Sequence, residues 1–196
     1  MTTPPTFTVG SVLTAAQMNQ VGQWAMYPSS VSGAGASVSG AKITLSACSA
    51  VTINGIFTAD FENYLLLARL SFTGGDTTMQ LTAAGTPSAG TAYNYSMLQA
   101  YSGAGVTTAR TSGTDKIVLI SNQNGVYGSA TADIFAPQLA VPTMFQVNNL
   151  RNDAAYGIPA NYLWWGNNSN STSYDGLKIT GGGAMTGTIF IYGRTM

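Results

Sequence analysis

Apolar and polar residues alternate with a period of two in places along the chain. Between Tyr64 and Phe72, Leu66, Ala68, Leu70 and Phe72 point one way, and Leu65, Leu67, Arg69 and Ser71 point the other. That alternation is the signature of a strand with one buried face, and the first set reads as core. Near the end of the chain, Ile189 and Ile191 oppose Phe190 and Tyr192 in the same manner. Comparable runs predict strands over Lys42–Ser46, Val51–Ile56, Tyr64–Phe72, Thr77–Ala84, Tyr93–Tyr101, Lys116–Ser121, Ala130–Ala136, Thr143–Asn149, Asn161–Gly166, Gly176–Thr180 and Thr186–Tyr192. Gly74-Gly75-Asp76, Gly85-Thr86-Pro87, Gly103-Ala104-Gly105, Ser112-Gly113-Thr114-Asp115, Asn124-Gly125 and Gly181-Gly182-Gly183 punctuate them as turns. Many short strands at even spacing indicate an all-β fold, with an antiparallel two-sheet sandwich of jelly-roll type expected over residues 42–196. No repeat of fixed period stands out, which argues against a solenoid or propeller.

The first 41 residues have a different texture. Residues 1–10 are rich in Pro and Thr and read as extended. Residues 11–24 carry the one helical signal: Thr14 and Gln17 fit a capping box, and Ala15, Ala16 and Met18 are good helix formers. Such a helix is too short to be stable alone and needs a surface to lie on. Residues 28–41 are dominated by Gly, Ser and Ala and predict a flexible linker. The expected plan is an N-terminal arm with a short helix (1–27), a Gly/Ser linker (28–41) and a β-rich body (42–196).

Charge changes the picture by elimination. The 196 residues hold seven Lys or Arg, seven Asp or Glu and no His, for a formal net charge of zero, while 45% are hydrophobic and 10% aromatic. The apolar and aromatic content suffices for a core, so a disordered chain is not expected. No basic stripe is present for nucleic acid. No apolar run approaches a membrane span and no signal peptide is evident, so synthesis in a cytoplasm without membrane insertion is expected. A near-neutral surface is more comfortable buried in an assembly than carried by a monomer.

Candidate chemistry is thin. Without His, zinc binding has one thiol, Cys48, and no imidazole, and a Cys or Ser nucleophile lacks its usual base. Cys48 reads as a small buried residue. Asp60 and Glu62 stand two apart and form the sole plausible carboxylate pair, yet nothing near them resembles a sugar platform, and a solvated or locally bonded turn is expected. Asp76, Asp115, Asp153 and Asp175 fall in predicted loops, where Asp stabilises turns. No catalytic residue, metal site or cofactor is expected. Tyr162, Trp164 and Trp165 carry more weight: adjacent Trp residues on a strand face opposite sides, so one fills the core and the other meets solvent, a sister subunit or a glycan. Tyr93, Tyr95 and Tyr101 would share one face of their strand.

Two segments carry a resemblance. The opening, Phe7-Thr8-Val9-Gly10-Ser11-Val12-Leu13-Thr14-Ala15-Ala16-Gln17-Met18-Asn19, is similar to the start of small tail-fibre and minor tail proteins of tailed bacteriophages. The close, Thr172-Ser173-Tyr174-Asp175-Gly176 followed by Met185-Thr186-Gly187-Thr188-Ile189-Phe190-Ile191-Tyr192-Gly193, resembles the end of the same group, and Phe57–Tyr64 agrees with its middle. The resemblance implies a non-enzymatic virion protein, a trimer, whose arm docks to other virion proteins and whose body projects. Leu13, Met18, Val21 and Trp24 are then the candidate attachment residues. At 196 residues the chain is short for a long receptor-binding fibre. A capsid decoration or head fibre, or a glycan- or receptor-binding adhesion module using Tyr162, Trp164 and Trp165, shares the same plan.

Overall fold

A computed structural model describes residues 22–88, 90–101, 105–121, 127–153 and 158–194. Fourteen strands are present among them: β1 (Trp24–Ala25), β2 (Ser30–Ser32), β3 (Ala36–Ser39), β4 (Lys42–Asn54), β5 (Asn63–Phe72), β6 (Thr77–Ala83), β7 (Thr86–Pro87), β8 (Tyr93–Tyr101), β9 (Gly105–Thr114), β10 (Ile117–Ile120), β11 (Tyr127–Phe135), β12 (Thr143–Asp153), β13 (Ile158–Asn168) and β14 (Gly176–Arg194). No helix occurs among the described residues. All pairings are antiparallel, along the path β10-β6-β14-β5-β11-β12-β13-β8-β9, with β4 on the other side of β14 and β1, β2, β3 and β7 as short additions.

The core follows from the period-two pattern. In β5, Tyr64, Leu66, Ala68, Leu70 and Phe72 are buried, as are Ala130, Ala132 and Ile134 of β11 and Phe145 and Val147 of β12. Each large apolar side chain taken fully out of water contributes roughly 1.5–3 kcal/mol. β10 is buried along its whole length, Ile117 to Ile120. It pairs with β6 at its edge and lies against β8, β11 and β12, so apolar residues are required on both faces.

Four segments depart from the sequence expectation. The Gly/Ser stretch is not a free linker: β2 pairs with Thr52–Asn54 and β3 with Lys42–Leu45, so both lie on the outer edge of β4. Gly33 and Gly35, both at positive φ, turn the chain between them. Composition suggested flexibility, but the open backbone edge of β4 supplies hydrogen bonds that order the segment. The runs at 42–46 and 51–56 belong largely to one strand, interrupted by a bulge where Ala47 takes a φ of 51° and its N–H donates to Thr186 Oγ1 at 3.0 Å. The last two predicted strands are likewise one, β14. Its first half pairs with β6 and its second half with β5.

Gly181-Gly182-Gly183 is therefore the crossing point from one neighbour to the other, not a reversing turn. A Cβ on Gly182 would stand 2.5 Å from Gly75 Cα, so the close backbone approach requires glycine there. The fourth departure is β9, for which no strand is predicted between the turns at 103–105 and 112–115.

The predicted helix over 11–24 lies mostly outside the described residues, as do the attachment candidates Leu13, Met18 and Val21. Trp24 is described, and it is not an arm residue. It forms β1 with Gly193 as partner, is buried, and packs on Phe61 with ring centroids 5.4 Å apart. The ordered body thus includes Trp24, well before the expected boundary at residue 42.

Candidate interaction surface

Strand alternation decides where the aromatic residues of β13 point. Tyr162 and Trp164 face the core and are buried, whereas Trp165 is 42% exposed on the opposite face. Tyr162 and Trp164 stack with centroids 6.3 Å apart and planes within 9°, and Tyr95 of β8 meets Trp164 edge-on at 5.3 Å. Arg151 of β12 lies 4.9 Å over the Tyr162 ring and donates from its guanidinium to the Tyr162 hydroxyl at 2.6 Å. A cation held over an aromatic face while hydrogen-bonded to its hydroxyl fixes both side chains. Asn149, the cross-strand neighbour of Tyr162, is fully buried with no partner for its amide. Tyr162 and Trp164 are therefore core-facing residues, and of the three only Trp165 offers a surface to another molecule.

Trp165 borders a surface depression of about 310 Å³ with Asn94, Tyr95, Ser96, Arg110, Thr111 and Ser112. On the same outer face, Leu67, Arg69, Thr131, Leu150 and Phe190 line a groove of about 300 Å³. It continues past Asn148 into a smaller one of about 180 Å³ between Leu98 and Leu163. Cross-strand registry explains the row: Phe190, Leu67, Thr131, Asn148, Leu163 and Leu98 stand opposite one another in successive strands. The face is polar and apolar in patches, with few charges. Among the titratable groups on it, Asp133 accepts from Arg194 at 2.6 Å, and Arg110 is exposed.

The carboxylates expected to stabilise turns are placed as follows. Asp60 accepts from the Thr58 hydroxyl at 3.4 Å in the turn before β5, where Glu62 is also exposed. Asp76 accepts from Ser121 at 3.2 Å, and Asp175 from the Ala84 N–H at 3.0 Å. Asp115 stands 3.9 Å from Lys116 with both largely in solvent. Asp153 closes β12 rather than lying in a loop. No group of three or more metal-ligating side chains occurs among the described residues. Cys48 is buried, and its thiol donates to the Ala50 carbonyl at 3.0 Å.

A buried polar knot escaped the sequence reading. Tyr174 and Ser88 share a hydrogen bond of 3.0 Å, Tyr174 donates to Asn168 at 3.2 Å, and the amides of Asn168 and Asn170 donate to Ser88 at 3.1 and 3.2 Å. Nearby, the Leu81 N–H donates to the Tyr93 hydroxyl at 2.7 Å. Burial pushes the Tyr93 phenol up to about 12, and burial also raises that of Tyr64, against the opposing pull of their hydrogen bonds. Tyr93 and Tyr95 share the core-facing side of β8, Tyr93 stacked on Phe145 and Tyr95 against Trp164; the slip in the pairing with β9 puts its extra residue on β9, and β8 keeps its alternation against β13. The one clue to the knot in the sequence is the density of Asn over residues 167–170, since Asn can satisfy several buried donors and acceptors at once. Comparison with protein families, curated proteins and solved structures finds no match for this chain.

Proposed function

We propose that this chain is a structural, non-enzymatic protein of a tailed-bacteriophage particle, a tail-fibre or minor tail component. It is made in the host cytoplasm and assembled as a homo-oligomer, a trimer in the resemblance on which the reading rests. Its residues 1–21 attach to other virion proteins and its body projects from them. The observation that supports this is the pairing of β1 with Tyr192 and Gly193, which brings Trp24 into the body at the end where β14 finishes. An arm leaving one end of a charge-poor β body fits attachment at that end and exposure of the other.

We read the body as a two-sheet sandwich of jelly-roll type. β14 and β4 would serve as the strands shared between the sheets, and the contact of β10 with β8, β11 and β12 supports that layering. Particles purified from the source and labelled with antibody to residues 24–194 should carry label at the tail. Label on the capsid face would select the decoration or head-fibre reading, and absence from purified particles would refute the proposal.

A second reading is favoured by one observation. Trp165 beside Asn94, Ser96 and Arg110 is an aromatic platform edged by hydrogen-bonding groups, the arrangement that suits a sugar ring. Under that reading the body also contacts a host glycan, and Trp165→Ala abolishes cell adsorption while leaving particle assembly intact.

A further inference from the structure

Ten large hydrophobic side chains are exposed among the described residues, and five of them gather at one end of the body: Phe135, Leu139, Val141, Met144 and Trp165. Phe135 and Met144 are direct cross-strand partners at the close of β11 and the start of β12. Trp165 lies one diagonal step from Met144, since its own partner is Gln146. Leu139 and Val141 sit in the connection between β11 and β12.

That connection is pinned rather than loose. The Ala136 N–H donates to Glu62 O at 2.8 Å, the Tyr174 N–H to Pro137 O at 2.8 Å, and the Ser173 hydroxyl to Gln138 O at 2.6 Å. Pro137 is buried, so the loop cannot turn its apolar side chains inward without breaking these bonds. Their exposure is built into the fold, and they are presented at little further entropic cost.

We infer that this end of the body is the contact surface for a second copy of the same chain. Two quantities favour a copy over an unrelated partner. The five side chains are 40–52% exposed. At roughly 150–250 Å² for a large side chain they leave about 400 Å² of apolar surface. An interface of standard size buries about 800 Å² per partner, a little over half of it apolar, so the patch is the right size for one stable contact. None of the five side chains is charged, and of the charged neighbours Asp133 is closed by Arg194 while Glu62, exposed beside Ala136, stands at the margin. The centre of two identical faces can therefore meet without like-charge repulsion, with Glu62 left at the solvated rim. Trp24 joins the body at this same end, beside Gly193, so copies joined here bring their β1 strands to the same side.

The inference locates the self-association named above but does not require a virion: its test uses the isolated full chain, whatever particle labelling shows. The mass in solution is measured by light scattering across the micromolar range for the wild type and for Met144→Glu, Leu139→Asp and Val106→Asp. Val106 is exposed at the opposite end of the sheet and serves as the control. Expected is a wild-type oligomer whose dissociation constant rises at least tenfold in Met144→Glu and Leu139→Asp and stays unchanged in Val106→Asp. Far-ultraviolet circular dichroism and thermal unfolding verify each fold, and Leu139, outside any strand, keeps the test alive should Met144→Glu not fold. A wild-type chain that is monomeric throughout overturns the inference, as does an oligomer that Leu139→Asp leaves intact.

Discussion

Alkaline pH should destabilise this protein, chiefly through the Tyr93 phenol. Tyr93 is almost fully buried, and its hydroxyl takes the Leu81 N–H at 2.7 Å, so ionising it in the folded state means leaving a charge out of water. Its folded value is pushed from 10.0 to about 12. Below pH 10 the phenol is protonated in both states and the effect on stability is nil. Above pH 10 the unfolded chain loses the proton while the folded one keeps it, so the unfolded state gains and stability falls until the pH passes about 12. Two units at about 1.4 kcal/mol each make a loss of about 3 kcal/mol from this group. That is a large share of the roughly 5–15 kcal/mol that holds a domain together. Tyr64, raised by the same cause, adds a loss of the same sign.

Urea titrations at neutral pH and at steps between pH 10 and 12 measure the effect in the wild type and in Tyr93→Phe. The variant starts lower at neutral pH, by about 1–3 kcal/mol, because the buried Leu81 N–H loses its acceptor. It then falls less steeply, and the gap narrows or inverts by pH 12. All other groups are common to both proteins and cancel in the comparison. A gap that stays constant from neutral pH to pH 12 would refute the assignment to Tyr93.

Two further substitutions separate required residues from tolerated ones. Gly182→Ala should cost about 1–3 kcal/mol, because its Cβ meets backbone at 2.5 Å, whereas Gly74→Ala, with its nearest neighbour 4.0 Å away, should cost under about 1 kcal/mol; chemical denaturation of the two variants decides, and equal losses would remove the close-approach argument. Trp164→Ala should cost about 3–5 kcal/mol by emptying the space between Tyr95 and Tyr162, and Trp165→Ala less than about 1 kcal/mol, as read from the shift in thermal midpoint.

What the sequence discloses depends on whether a residue has a buried face. Leu66, Ala68, Leu70 and Phe72 are legible as core because period-two alternation is itself the record of one side being dry. The split between Trp164 and Trp165 is legible for the same reason. β9 is not, because nearly all of its residues are exposed and neither face imposes a pattern on Thr107, Thr108 and Ala109. β2 and β3 are invisible locally, since what orders Val31 and Val38 is the far edge of β4 at Ile53 and Ile43. Leu139 and Val141 could not be identified as exposed from a loop flanked by Pro137 and Pro142. Their exposure depends on Ser173 and Tyr174, more than thirty residues away, holding the connection in place.

The scarcity of charge acquires a structural meaning from where the carboxylates go. Asp60, Asp76 and Asp175 each take a hydrogen bond from a turn or neighbouring strand, and Asp115 and Asp133 each stand beside a cation. Five of the seven acidic side chains are thus engaged in local structure or in pairs, and little charge is left to guard the surface. Edge strands in monomeric proteins are commonly protected by Lys, Pro or an inward charge. β9 runs ten residues at the end of the sheet with Arg110 as its one charge, and Phe135, Met144 and Trp165 stand open on the outer face. In an isolated monomer each of these would be an aggregation hazard. In an assembly the apolar end at Phe135, Met144 and Trp165 is a surface for a neighbour, nearly free of charge so that identical copies can approach, and that is the condition under which a chain with so few charges is at no disadvantage.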